Sequence, residues 1–178
     1  MTRWKAPLPF LLVSALTLAL AAAPPPAHLL KGVPRPWVQA ARALVEHPEQ
    51  HHPSQTAEVA PKGERPAMRI FEFVGLKLGD RKFETVLLAR AKADPGDWML
   101  ELTPGKYGPP IAPEEVGDVL LVGEGANYWI FRIKAGPFAG DLLVWSTASG
   151  HRGVGGEAVR IYSKKAASHE PTLKAYLP

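Results

Sequence analysis

The chain has no cysteine among its 178 residues. Without thiols it has no disulfide framework, thiol nucleophile, thiolate zinc site, iron–sulfur cluster or c-type haem attachment. Amides are also scarce, with Asn127 and three glutamines, whereas proline occurs 19 times, a combination typical of thermophile proteins. These absences exclude several enzyme classes, and we expect no cofactor.

Length and composition favour one folded domain with additional segments. Single domains have a typical size of about 100–150 residues, so two full domains are not expected in this chain. Apolar residues make up 46% and charged residues 21%, which is ordinary for a globular protein and not typical of a disordered one.

The N-terminus has the three-part pattern of a secretory signal peptide. Arg3 and Lys5 precede an uncharged apolar run at 10–20, and small alanines then lead into three prolines at 24–26. The pattern predicts a signal peptide at 1–21, cleaved after Ala21, and export to the periplasm, cell envelope or exterior. The alternative is an uncleaved anchor, but a membrane-spanning helix needs about 20 apolar residues. We therefore expect no transmembrane span after cleavage.

Loss of the signal peptide lowers the net charge, because residues 1–21 contain two cations and no acid. The remainder has 19 Lys and Arg against 17 Asp and Glu, a net charge of +2. Such a small charge gives little attraction for nucleic acid, so no nucleic-acid partner is expected. Residues 164–178 are predicted to form a basic, solvated C-terminal tail.

Residues 22–66 are predicted to contain one helix and a flexible linker. Trp37, Ala41, Leu44 and Val45 recur at helical spacing, which predicts a helix at 36–47 that begins with Pro36. Residues 49–66 are rich in Pro, His and Gln and nearly free of apolar residues, so the prediction is a disordered linker.

Residues 67–163 are predicted to form an all-β domain, an antiparallel sandwich or small barrel of about seven strands. The strongest signal is alternation along 82–92, from which we expect Leu87 to face the core and Glu84 to face solvent. In the strand that begins at Tyr128, Trp129, Phe131 and Ile133 share the core face and Tyr128 lies outside. The predicted strands are 68–78, 82–92, 98–102, 119–122, 128–134, 141–146 and 157–162.

A glycine-rich stretch at 146–156 is the first candidate site. His151 and Arg152, with the glycine N–H groups, suit a phosphate, sulfate or carboxylate. If a ligand site exists, we expect it where the loop at 103–113, which contains Tyr107, meets the loop at 147–156, and we expect it to prefer an anion.

The same stretch allows a hydrolase as the alternative. Ser149 or Ser146 would be the nucleophile, His151 the base, and Asp118 or Asp141 the acid that orients it. Ser149 lacks the flanking glycines of a nucleophile elbow, and no catalytic residue is therefore assigned.

Two further groups have weaker patterns. Tyr107, Tyr128 and Trp145 are candidates for an aromatic platform that stacks a sugar or base. A run of imidazoles and carboxylates resembles the short His-rich tracts that bind metals, but Pro48 interrupts its helical spacing, and we predict a solvated linker without a metal. That run comprises Glu46, His47, Glu49, His51 and His52.

Together these features predict an exported, non-enzymatic β-domain that binds or scaffolds a protein or other component of the cell envelope, or a small ligand with anionic character. Its predicted ligand residues are His151, Arg152, Tyr107 and Tyr128.

Overall fold

The structure is a computed structural model that describes residues 28–105, 108–147 and 158–177. Its strands are Leu29–Leu30 (β1), Gln55–Val59 (β2), Met68–Val74 (β3), Lys77–Leu78 (β4), Arg81–Lys82 (β5), Thr85–Ala91 (β6), Trp98–Thr103 (β7), Val119–Gly125 (β8), Tyr128–Ile133 (β9), Leu142–Ser146 (β10) and Ala158–Tyr162 (β11).

Nine of these strands form one antiparallel sheet in the order β1-β8-β9-β10-β11-β7-β6-β3-β2. Two meanders, β2-β3-β6-β7 and β8 to β11, are joined where β11 pairs with β7. The remaining strands, β4 and β5, form a small hairpin whose turn places Gly79 at a φ of 52°, a conformation that glycine adopts without strain.

Helix α1 (Pro36–Glu46) covers one face of the sheet, called here the helix face. Pro36 occupies the first turn, where its missing N–H costs no hydrogen bond. The apolar residues recur every three to four positions, and the whole stripe packs into the sheet: Trp37, Val38, Ala41, Leu44 and Val45 are buried. The predicted helix is thus confirmed and is part of the core.

The connection from β7 to β8 also crosses the helix face. Pairing of Leu102 with Val159 and of Val119 with Ile133 places the end of β7 and the start of β8 at opposite ends of the sheet. Ile111 and Val116, within this connection, are fully buried in the same core as α1. The proline-rich segment therefore closes the core in addition to linking two strands.

The opposite, outer face is covered in part by the C-terminal helices α2 (Lys164–Ser168) and α3 (Pro171–Lys174). Ser163 caps α2 by accepting a hydrogen bond from Ala166 N at 3.1 Å. Ala167 and Leu173 pack against Ile130 and Leu142 in a second, smaller cluster. The segment predicted as a basic, solvated tail is therefore folded onto the sheet.

Two parts of the predicted architecture differ from the structure. The domain is mostly β, but its nine strands form one large sheet that does not close into a barrel, and α1 packs where a second sheet would lie in a sandwich. The predicted linker is not confirmed either, since residues 48–51 form a 3₁₀ turn and Gln55–Val59 pairs with β3 as an edge strand.

The predicted strand faces are correct for β9 and wrong for β6. Phe131 and Ile133 are in the helix-face core, with Trp129 packed against it. In β6, however, Val86 and Leu88 are fully buried under α1, whereas Leu87 is half-buried on the outer face. Both residue sets of β6 are apolar, so the alternation alone did not indicate which set faces the helix.

Candidate functional site

The outer face holds a groove beside α2 and α3, made of two clefts. The first, the apolar cleft, has a volume of about 190 Å³. Its floor is a row of cross-strand partners on four neighbouring strands, Ile70, Ala89, Met99 and Tyr162. Its walls are Val59, Arg65, Pro66, Met68, Asp97, Ala166, His169 and Glu170.

Both described methionines, Met68 and Met99, lie in the apolar cleft. Methionine is unbranched and polarisable, so it adapts to apolar ligands of different shape. The groove exists because α2 and α3 pack against the strands from β7 to β11 and leave the outer face of β3 and β6 without a helix above it.

The second part, the polar cleft, has a volume of about 440 Å³. Val144 and Ile130, partners on neighbouring strands, provide its apolar floor. Side chains of Asn127, Tyr128 and Thr172 line it without a hydrogen bond to another described residue. Their hydroxyl and amide groups therefore give the cleft free donors and acceptors that carry no charge.

Tyr162 and Glu170 line both clefts and join them into what we call the outer groove. Burial raises the pKa of the Tyr162 phenol, so its hydroxyl stays protonated and can donate a hydrogen bond at physiological pH. The groove thus changes from apolar to polar along its length, with a neutral tyrosine at the junction.

The charged side chains around the groove are paired with one another. Arg65 forms an ion pair with Glu170, and Arg160 donates to Glu101 at 2.6 Å. His169 Nε2 lies 3.0 Å from Asp97 Oδ2. Since both arginines already have a carboxylate partner, neither offers an unpaired positive charge to a ligand.

Asp97 is the most buried charged residue of the groove, with its side chain 6% exposed. One carboxylate oxygen contacts His169, and Oδ1 is buried without a hydrogen-bond partner among the described residues. The imidazole of His169 therefore stabilises the buried carboxylate of Asp97, and the carboxylate fixes the orientation of the imidazole ring.

Of the residues predicted to bind a ligand, Tyr128 lies in the outer groove, with 37% of its surface exposed. Tyr107, His151 and Arg152 lie outside the described residues. Tyr128 is therefore the one predicted ligand residue among the described residues, and it lines the outer groove.

The loops predicted to form an anion site leave the sheet at the same end. Leu102 pairs with Val159, so Thr103 and Ala158, which border the two loops, lie at the same end of neighbouring strands. The carbonyl of Pro109 accepts a hydrogen bond from Arg81, so this part of the first loop lies against the β4–β5 hairpin, close to α1.

The predicted aromatic platform is not assembled from Tyr128 and Trp145. Tyr128 pairs with Ser146 and shares its outer face, whereas Trp145 pairs with Trp129 on the helix face. The two indole rings contact each other there, with 4.7 Å between their centroids and an angle of 45° between their planes. The two predicted platform residues therefore lie on opposite faces of the sheet.

For the predicted hydrolase, the structure describes Ser146 and both proposed acids, but Ser149 and His151 lie outside the described residues. Ser146 is buried and donates to the Ala158 carbonyl at 3.4 Å. Asp118 accepts hydrogen bonds from the backbone of Gly32 and from Lys31, so its carboxylate already has partners.

The His-rich tract does not form a cluster in the described residues. His47 ends α1, His51 lies in the 3₁₀ turn, and His52 adopts a left-handed conformation with a φ of 51°. No group of three or more potential metal ligands occurs within 28–105, 108–147 and 158–177.

Sequence reasoning did not find the apolar cleft. Its residues come from five separate segments, and one of the pairings that assemble them, β7 with β11, joins strands about 60 residues apart. One available signal was the outward set of β3 and β6, where Met68, Ile70, Leu87 and Ala89 are more apolar than a solvated face requires.

Comparisons of the chain with protein-family models, with curated protein sequences and with solved structures found no match. No helix among the described residues is both long enough and apolar enough to cross a membrane.

Proposed function

We propose that the protein is an exported, non-enzymatic β-domain that binds a small amphipathic component of the cell envelope in the outer groove. The observation that carries this proposal is the change from an apolar to a polar lining along one groove, with Tyr162 and Glu170 shared by both halves. An apolar tail would lie over Met68, Ile70, Ala89 and Met99, where it is removed from water.

The head group of this ligand is uncharged and rich in hydroxyls. The polar cleft offers Asn127, Tyr128 and Thr172 as neutral hydrogen-bonding partners, while its arginine is already paired with Glu101. A charged head group would lose hydration without gaining an unpaired counter-charge. The ligand class that fits is an alkyl glycoside or another apolar chain with a polyol head.

The binding proposal is tested by calorimetric titration with monomeric n-octyl glucoside. Ala89→Phe places a ring on the floor of the apolar cleft and should weaken binding at least about tenfold. Thr85→Phe is the matched control, because Thr85 lies on the same strand and face but does not line the groove. We expect its affinity to stay within about twofold of the wild type.

No binding by the wild type, or equal binding by Ala89→Phe, would contradict the proposal. Octanoate and octylamine carry the same chain length with a charged head, so the proposal predicts that both bind more weakly than the glucoside. Tighter binding of octanoate would instead support the anionic ligand that the sequence suggested.

Export is tested by N-terminal sequencing of the protein purified from the cell envelope. The signal-peptide prediction expects a mature chain that begins near Ala22. A chain that retains Met1 would show that the segment is not removed.

A hydrolase is the second proposal, and the contact that favours it is the one between His169 and Asp97. A general base needs an imidazole held by an acid, and His169 has such a partner on the wall of the groove. The test is hydrolysis of p-nitrophenyl butyrate by the wild type, by His169→Gln, and by His151→Gln, Ser149→Ala and Ser146→Ala, which remove the base and the nucleophiles that the sequence suggested. Turnover by the wild type that is lost in a histidine variant and in a serine variant supports this proposal, whereas the absence of turnover by the wild type contradicts it.

A further inference from the structure

A second recess lies on the other side of the sheet from the outer groove and has the opposite electrostatic character. It is formed where β3 and β6 pair, with Arg69 directly opposite Arg90 and Lys92 following β6. Its volume is about 150 Å³, and its lining residues are Arg69, Arg90, Ala91, Lys92 and Pro95. All of its charged lining residues are therefore basic.

Two carboxylates hold this basic cluster in place from outside the recess. Glu58 on β2 accepts from Lys92 at 2.9 Å and lies 3.6 Å from Arg69 Nη2. The hydrogen bond from Lys92 and its charge lower the pKa of Glu58. Glu49 pairs with Arg90 at 3.1 Å. Three cations thus face two acids, which leaves one positive charge in excess.

The two arginines have different structural roles. The Arg90 guanidinium lies 5.6 Å from the ring centroid of Phe71 and donates to the carbonyls of Val45 and Glu46 at the end of α1, each at 3.4 Å. Arg90 is therefore needed for the packing of the helix. Its side chain is largely buried, and its position is fixed.

Arg69 has no comparable role in the fold. Its guanidinium forms one ion pair among the described residues, with Glu58 at 3.6 Å. The side chain is 46% exposed. Arg69 lies directly opposite Arg90 on β6 and Glu58 on β2, so the glutamate offsets part of the repulsion between the two arginines. The guanidinium donors that do not face Glu58 are available to a ligand.

We propose that this recess binds a tetrahedral oxyanion, a phosphate or sulfate group. Arg69 would provide the planar pair of N–H donors that matches two oxygens of such a group, and Lys92 and Arg90 would add positive charge from the neighbouring strand. A bound dianion also reduces the repulsion that Glu58 and Glu49 leave between Arg69 and Arg90. This site is independent of the outer groove and of the function proposed for it.

The test is calorimetric titration of the full-length mature protein with inorganic phosphate, inorganic sulfate and glycerol 1-phosphate, in a buffer free of these ions and at low ionic strength. Arg69→Gln should weaken binding at least about tenfold, since it removes both the charge and the fork of donors. Arg69→Lys keeps the charge without the fork, and we expect an intermediate affinity.

Lys77→Gln is the matched control. Lys77 is exposed on β4, away from the recess, and the substitution removes one positive charge as Arg69→Gln does. Its affinity should stay within about twofold of the wild type. An equal loss in Lys77→Gln would show that the binding reflects net charge alone and would overturn the proposal.

The remaining outcomes distinguish a free ion from a phosphorylated head group, and this recess from the outer groove. Equal affinity for inorganic phosphate and glycerol 1-phosphate supports a site for the ion itself, and tighter binding of the ester supports a phosphorylated head group. No binding of any of the three by the wild type would overturn the proposal. Ala89→Phe should bind phosphate as the wild type does, so failure of the groove proposal leaves this result unaffected.

Discussion

At the scale of single residues, the central packing contacts are made by side chains that face α1. Leu88 is fully buried on the helix face, and its neighbour Leu87 lies half-buried on the outer face. The strand pairing of β6 with β3 and β7 decides this difference, because it fixes which residues share a face with Phe71 and Leu100.

Leu88→Ala should therefore lower the free energy of unfolding by about 2–5 kcal/mol, as is usual when a fully buried leucine is truncated. Leu87→Ala should cost clearly less, about 1 kcal/mol, because part of the side chain is already in contact with water. Urea unfolding of both variants measures the difference. A larger loss for Leu87→Ala would show that the faces of β6 have been assigned the wrong way round.

Asp141 provides a test of a buried charge. Burial raises the pKa of its carboxyl to about 6, although Arg42, at 3.8 Å, and the backbone N–H of Lys164 both favour the ionised form. In the unfolded chain the carboxyl ionises near its ordinary value of 3.8. Stability linked to Asp141 is thus fully present below pH 3.8 and is lost as the pH rises through 6.

Asp141→Asn should accordingly raise the unfolding free energy above pH 6 by about 1–2 kcal/mol, a figure reduced for partial solvent screening. Near pH 4 the variant and the wild type should have similar stabilities. Thermal unfolding across pH 4–8 provides the measurement. A variant that is less stable than the wild type at pH 7 would mean that the contact with Arg42 outweighs the burial cost.

At the scale of secondary-structure elements, Ser163 connects helix α2 to the sheet by hydrogen bonds. Its hydroxyl accepts a hydrogen bond from Ala166 N as the cap of α2 and another from Trp98 N at 3.0 Å, so one buried oxygen joins α2 to β7. Lys165 pairs with Asp94 and His169 with Asp97, which adds two contacts to the turn before β7.

Ser163→Ala removes both hydrogen bonds and leaves the N–H of Trp98 buried without its partner. We expect a loss of about 1–3 kcal/mol in the free energy of unfolding. Ser168→Ala is the control, since Ser168 lies in the same helix and its hydroxyl bonds only the carbonyl of Lys165. Equal effects of the two substitutions in thermal unfolding would show that the cap does not join the helix to the sheet.

The elements differ in how well the sequence could predict them. Helix α1 and strand β9 carry a clear apolar period and were predicted with nearly their observed bounds. Strand β2 carries none, since all five of its residues are exposed and its place in the sheet depends on backbone pairing with β3. Helices α2 and α3 are short and have few apolar residues. These residues, such as Leu173, are buried only because they pack against Ile130 and Leu142, which are distant in the sequence.

At the scale of the whole molecule, the architecture depends on the order in which the strands pair more than on their number. A run of β-strands with turn residues is typical of sandwiches and barrels, and the chain instead forms one sheet with α1 on its helix face. Pairing of β7 with β11 joins the two meanders, and no local pattern predicts that contact. The groove and the basic recess are consequences of this pairing and of register, so composition and motifs did not reveal them.

The most direct measurement of the central claim is a titration of ¹⁵N-labelled protein with monomeric n-octyl glucoside, followed by amide chemical shifts. We expect the largest shifts along the row Ile70, Ala89, Met99 and Tyr162 and in α2, with little change in α1 (Pro36–Glu46) on the opposite face. Shifts concentrated in α1, or the absence of shifts in the groove at a saturating concentration of the glucoside, would contradict this claim.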